Sequence, residues 1–298
     1  MAPRRPVFGV IRPGFLLLTP ACVLLGIAAG VVSGGEPDWF ALGPVLLGAI
    51  AAHAAVNALN EVSDFHSGLD FKTQRTPFSG GSGTLIAHPQ LANAALGLGI
   101  ACVLVTLACG AWLIDRVGRA LLPFGVIGLA LVVLYSGPIS RNRFAISVAP
   151  GLGFGPMMVL GAEVCITGGV SVAGVWLSLV PFFLVNNLLL LNQFPDRHAD
   201  RRSGRDNVVI AYGARTAAVV YGGGGLLAYL TLIGATTLGV LPAIALTGLL
   251  TAPLMAWVTL RALRFTGDVQ PLLPAMAGNV VVSLFTPVLI AVPLLIAA

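Results

Sequence analysis

Charge is what this sequence most lacks. Of its 298 residues only 9% are Asp, Glu, Lys or Arg, against roughly 25% in a soluble domain. Water is therefore the wrong solvent for most of its surface. Lysine is reduced to Lys72, and there are four histidines and four cysteines. Cys22, Cys102, Cys109 and Cys165 stand inside apolar runs without Cys-x-x-Cys spacing, which favours small buried hydrophobes over a metal or redox motif. His66, His88 and His198 are not spaced as a zinc site. The bases are scattered and lack interleaved aromatics, which argues against nucleic acid as a partner. The short alternating segments of a transmembrane barrel are also missing.

What is present is a series of long apolar runs. Hydrophobic residues make up 57% of the chain, and runs of about 20 residues match a hydrocarbon core ~30 Å thick. In lipid the backbone must satisfy its own hydrogen bonds, so such runs read as helices. The expected class is all-α, a polytopic membrane protein with the lipid bilayer as a partner. Nine spans are expected near 13–33, 39–61, 91–113, 120–137, 145–166, 172–192, 215–236, 239–260 and 274–297. The start carries Arg4 and Arg5 before a run with Pro13 and Pro20. No Ala-x-Ala cleavage pattern follows, so the first run reads as a retained helix.

Of 16 Lys and Arg, all but Arg116 and Arg119 fall at the N-terminus or in the connections after spans 2, 4, 6 and 8. The positive-inside rule makes that face cytoplasmic. The acids gather there too. Five of the eight Asp lie in two stretches, residues 60–70 and 192–206. Asp64-x-x-Ser67-Gly68-x-Asp70 aligns without a gap to Asp200-x-x-Ser203-Gly204-x-Asp206, and Asn60 and Asp196 each stand four residues before the first Asp. Read as a duplication, this echo divides a single domain, 1–298, into two related halves, about 13–137 and 145–260, plus a last helix at 274–297; chance similarity of two polar loops is the alternative, since the helices show no clear repeat. A duplicated bundle brings its two polar stretches together over a central cavity.

Asn57, Asn60 and Asp64 share one helical face, as do Asn192, Asp196 and Asp200; Pro195 is expected to kink or restart the second helix. Ionised groups at membrane depth usually serve a site. Carboxylate and amide oxygens are Mg²⁺ ligands and share the ion with phosphate. Bare carboxylates repel an allylic diphosphate, and Mg²⁺ reverses that sign. Lys72, Arg75, Arg141, Arg143, Arg201, Arg202 and Arg205 lie on the same face, and an Arg fork suits phosphate oxygens. Each base also serves the topology, and that reading weighs about equally.

These residues resemble the UbiA-type intramembrane aromatic prenyltransferases, over nearly the whole chain. The first signature, Asn-Asp-x-x-Asp with a further Asp, is met by Asn60-Glu61-Val62-Ser63-Asp64 and Asp70, with spacing similar to the menaquinone-type branch. The second, Asp-x-x-x-Asp, is met by Asp196-Arg197-His198-Ala199-Asp200 with Gly204-Arg205. Arg12-Pro13, residues 135–138 and Gly155-Pro156 are softer matches. The resemblance implies nine helices around a central cavity capped by two Asp-rich cytoplasmic loops, in a prokaryotic plasma membrane. It implies Mg²⁺ held by Asn60, Asp64, Asp196 and Asp200, with Asp70 helping to orient the ions or the acceptor. Asn60, Lys72, Arg75, Arg141 and Arg205 are the candidates for binding the diphosphate. The implied reaction transfers a prenyl chain from an isoprenyl diphosphate to an aromatic acceptor; a terpene cyclase without an acceptor is the alternative. A transporter fits poorly, since both acid sets lie on one face.

Three residues depart from the family pattern: Glu61 in place of Asp, where it is expected still to reach a metal; Asp206; and Glu163, read equally as an acceptor-site residue or as a bundle residue. His53, Asn186, Asn187 and Asn279 read as packing or interhelical hydrogen bonds, and residues 80–83 as a flexible lid.

Overall fold

The computed structural model describes residues 6–267 and 269–298, and every regular element among them is helical. Arg4 and Arg5 of the base count lie outside these residues, as does Asp268. Nine of the described helices are long and apolar enough to cross a membrane: α1 Phe15–Val32, α2 Trp39–His66, α3 Pro89–Val117, α4 Arg119–Ile139, α5 Arg143–Thr167, α6 Val172–Arg202, α7 Val208–Thr237, α8 Ala243–Arg264 and α9 Val269–Ala297. Each expected span meets one of them.

Local chemistry fixes several ends. Asn142 accepts from Phe144 and Ala145 N–H at 3.0 and 3.1 Å to start α5. Ser171 starts α6 by accepting from Gly174 N–H at 2.9 Å, and Asn207 starts α7 by accepting from Ile210 N–H at 2.9 Å. These are the side chains that satisfy the free amides of a first turn.

Two ends differ from expectation. α2 runs to His66 and α6 to Arg202, beyond the apolar stretches that set their expected ends. Nothing in 62–66 or 196–202 breaks a helix. Pro195 removes only the donor for the Leu191 carbonyl; it is buried with Phe194, and α6 continues through it. Asp64, Asp196 and Asp200 are therefore helical residues, while Asp70 and Arg205 lie in the connections that follow.

α1 and α6 form the centre: 61% of the most apolar stretch of each is buried, against 11% for α3 and 6% for α4. Side chains such as Leu104, Val133 and Leu134 face outward, as a lipid environment requires. Glycines let α5 approach its neighbours. A Cβ on Gly26 of α1 would strike the Val159 carbonyl, and one on Gly155 would stand 2.9 Å from Phe182 N in α6. Small residues at such crossings allow close backbone packing. α5 also carries a wide π-type turn over Gly153–Leu160, with Pro156 inside it.

The N-terminal segment and the connections after α2, α4, α6 and α8 meet at one end. Arg12 stands 3.8 Å from Glu61, Asp206 N–H donates to Ser140 O at 3.4 Å, and Arg197 donates to Thr266 O at 3.1 Å. At the other end Asp38 N–H donates to Ile166 O at 2.7 Å, and its carboxylate pairs with Arg116. The two faces implied by the charge count are thus distinct in space.

Candidate active site

The two acid-bearing helices end in the same backbone form. Gly68 and Gly204 take φ of 74° and 75°, a left-handed conformation that costs glycine no Cβ clash. Leu69 N–H donates to Asp64 O at 3.0 Å, Gly68 N–H to Phe65 O at 3.1 Å, Arg205 N–H to Asp200 O at 3.1 Å and Gly204 N–H to Arg201 O at 3.4 Å. This is the paired closure of a Schellman end. The residue after each glycine, Leu69 or Arg205, then turns into a shared cavity.

That cavity has a volume of about 590 Å³. Its long apolar part is lined by Val45, Ala52, Val56, Leu129, Val132 and Phe154. Its polar end gathers Asn60, Asp64, Asp70, Asn192, Asp196, Asp200 and Arg205. Asn57 also lines the wall and holds Ile11 O at 2.9 Å. Both expected acid faces are therefore present, and they meet.

Arg205 joins them. Its Nη2 donates to Asp64 Oδ1 and its Nη1 to Asp200 Oδ1, the latter at 3.4 Å. Burial opposes the charge of this guanidinium, but the Asp64 and Asp200 carboxylates keep its pKa above the ordinary value. Asn60 donates to Asp64 Oδ2 at 3.0 Å and accepts from Ser136 Oγ at 3.1 Å. Asn207 donates to Asp200 Oδ2 at 3.2 Å.

Asp70 Oδ2 and Asp196 Oδ1 are buried and have no hydrogen-bond partner among the described residues. Burial, followed by the nearby charges of Asp64 and Glu61, pushes the Asp70 carboxyl up to about 7. Unpartnered carboxylate oxygens at the mouth of a cavity fit a hard cation. Among the described residues no three His, Cys, Asp or Glu side chains form a ready-made cage. The donors thus suit an ion that also carries water or phosphate oxygens, as Mg²⁺ does.

The other expected bases stay outside. Lys72, Arg75 and Arg141 are exposed and absent from the cavity wall. Arg75 donates to Ser82 O instead. Asp206, the counterpart of Asp70 in the echo, pairs with Arg143 at 2.8 Å rather than entering the cavity. Glu61 and Glu163 are also absent from the wall. Glu61 accepts from Ser82 N–H and Oγ at 2.8 and 2.6 Å; the reach expected of it is used on a loop. Glu163 accepts from Ser171 N–H at 3.0 Å, beside the start of α6. None of the three departures lines the cavity.

Arg12 and Gln193 were not singled out as site residues, yet both line the cavity. Arg12 holds φ at 49°, rare for a side chain, and its Nε is buried without a partner among the described residues. Its place directly before Pro13, at the polar end of the first span, was the available signal. Gln193 lies beside Asn192, and nothing in the sequence separates it from an ordinary helix-end residue. His53 lines the wall as well, with its Nδ1 2.9 Å from Thr19 Oγ1 and its ring edge-on to Phe154.

Comparison with known proteins agrees with this geometry. A family model described as the UbiA prenyltransferase family matches residues 18–296. The 1,4-dihydroxy-2-naphthoate octaprenyltransferase of Bacillus subtilis (strain 168) is 24% identical over 246 residues, which covers 80% of this chain and 77% of that protein. The apo structure of a UbiA homolog from Aeropyrum pernix K1 aligns with a TM-score of 0.72 at 17% identity, over 94% of this chain and 97% of its own. A UbiA homolog from Archaeoglobus fulgidus, bound to DMAPP and Mg²⁺, aligns with a TM-score of 0.65 at 17% identity, over 96% and 99%.

Proposed function

Because the chain belongs to the UbiA prenyltransferase family, we propose that it transfers a prenyl chain from an isoprenyl diphosphate to a ring carbon of a naphthoate-like aromatic acceptor, with Mg²⁺ as cofactor. The observation that carries this reading is the meeting of two acid sets, far apart in sequence, at the polar end of one apolar cavity through Arg205. The similarity to a naphthoate octaprenyltransferase supports the acceptor class.

In this reading Asn60, Asp64, Asp196 and Asp200 hold Mg²⁺, and Asp70 orients the ion or the acceptor. When bound, Mg²⁺ offsets the diphosphate's charge and stabilises it as a leaving group. Arg205 offers its fork to phosphate oxygens, and Arg12 adds a second positive charge at the same end. The prenyl tail lies along the apolar wall. The C–O bond breaks to an allylic cation and diphosphate; the ring's electron pair forms the new C–C bond, and the ring then loses a proton. Exclusion of water by the apolar wall keeps the cation from hydrolysis. The two halves, 13–137 and 145–260, are read as related; their matching Schellman ends support that. The acid face is read as cytoplasmic, in a prokaryotic plasma membrane.

The test is turnover by the purified protein given geranyl diphosphate and 1,4-dihydroxy-2-naphthoate, with and without Mg²⁺. Asp64→Ala and Asp196→Ala are expected to abolish product while the protein stays folded in detergent. Full activity in either variant rejects the reading. A hydrocarbon or terpene alcohol formed from the diphosphate alone would instead establish the cyclase alternative.

A further inference from the structure

Glu61 occupies the second position of the first signature; both oxygens of its carboxylate accept from one residue, and Arg12 stands 3.8 Å from Oε2. Oε2 accepts the Ser82 N–H and Oε1 the Ser82 hydroxyl, as described above. Ser82 is held from other directions as well. Its hydroxyl and that of Thr84 stand 2.8 Å apart in a hydrogen bond, Thr84 N–H donates to Ser82 Oγ at 3.0 Å, and Arg75 grips its carbonyl.

The same short loop borders both acid sets. One residue upstream of Ser82, Gly81 lies against Asp70, where a Cβ would stand 3.0 Å from Oδ1, and its φ of 77° favours glycine. Ser79 is buried, its hydroxyl 3.0 Å from that of Thr76, and it lines the same polar end of the cavity as Asp196. Residues 79–82 therefore form a strap: Ser79 shares the cavity wall with Asp196, Gly81 lies on Asp70 and Ser82 on Glu61. Ser79, Gly80 and Gly81 line the polar end of the cavity.

We infer that Glu61 is a positioning residue. It latches the 79–82 strap across the diphosphate end of the cavity and so fixes the wall beside Asp70 and Asp196, rather than holding a metal ion itself. The length of the side chain matters. Asp is one methylene shorter, and from the same backbone position its carboxylate does not span both Ser82 donors. An Asp in this place restores the family's pattern but loses the latch.

That contrast supplies the experiment. Amide hydrogen exchange over residues 79–84 is measured on the full chain in detergent, without substrate, for wild type, Glu61→Asp, Glu61→Ala and Ser82→Ala. The expected result is exchange at least tenfold faster in all three variants, with Glu61→Asp as impaired as Glu61→Ala. In turnover assays the KM for geranyl diphosphate is expected to rise about tenfold in each, while the Mg²⁺ concentration for half-maximal rate stays within twofold. Two results would overturn the inference: wild-type exchange and KM in Glu61→Asp, or a tenfold rise in the Mg²⁺ requirement in both Glu61 variants that Ser82→Ala does not share. Ser82→Ala changes only a loop residue, so folding is preserved in at least one arm. The kinetic arm rests on the proposed function. If wild type transfers no prenyl group, that reading fails, and the exchange arm still decides the latch.

Discussion

At the scale of single residues, Arg205 sets the electrostatics of the polar end. It is the partner of two buried carboxylates, and removing one member of such a group leaves uncompensated charge, at a cost on the order of 3 kcal/mol. Arg205→Met is expected to lower the thermal stability of the Mg²⁺-free protein in detergent, and added Mg²⁺ to restore part of it. Asp70 contributes to the pH dependence. Its folded carboxyl, held up to about 7, binds a proton more tightly than the unfolded chain's, which titrates near 4. In the cation-free protein the stability this proton provides is complete below about pH 4 and is lost as pH rises through about 7. A cation needs the charged form. The Mg²⁺ concentration for half-maximal rate is therefore expected to fall about tenfold between pH 6 and pH 8, and the slope to flatten in Asp70→Asn. The doubled spacing picks out Asp64, Asp70, Asp196 and Asp200, which line the cavity, and also Asp206, which does not. Which bases matter was not legible: in sequence Lys72, Arg75, Arg141 and Arg205 are equivalent neighbours of the acids, and only the turn at Gly204 sends Arg205 inward.

At the scale of elements, the apolar runs fixed the number and order of the helices because lipid leaves the backbone few alternatives. Hydropathy does not register where a helix stops once it has left the apolar zone. α2 and α6 accordingly outrun their expected ends, and their last turns carry the acids. The crossing of α5 and α6 depends on Gly155, whose missing Cβ leaves room for Ser178 O and Phe182. Gly155→Val is expected to force the helices apart and cost 1–3 kcal/mol by overpacking, about the usual range. A lower midpoint in a thermal aggregation assay would register it, with no such change for Gly128→Val, where a Cβ meets nothing within 4 Å.

At the scale of the whole molecule, the cavity has a readable depth axis. Val45, Gly48, Ala52, Val56, Asn60 and Asp64 all line it along α2, and twelve residues of helix between Ala52 and Asp64 measure about 18 Å. Ala52→Phe is expected to narrow the cavity far from the diphosphate end. It should lower kcat/KM for geranylgeranyl diphosphate at least tenfold more than for dimethylallyl diphosphate, in parallel assays with one acceptor. An equal loss for both lengths would refute this assignment of depth. The existence of such a cavity followed from pairing the two acid stretches, whereas its lining did not: α3 and α4 read like any other apolar helices, and which of their faces turn to the cavity is visible only in three dimensions.

The two glycine-ended turns are one mould cast twice. Their main chains close by the same pair of hydrogen bonds, so the closure itself does not distinguish one end from the other. A single codon after each glycine does: leucine on one side, arginine on the other. Two helix ends of one backbone form can thus differ in chemistry with no change of shape, the contrast coming from the side chains alone.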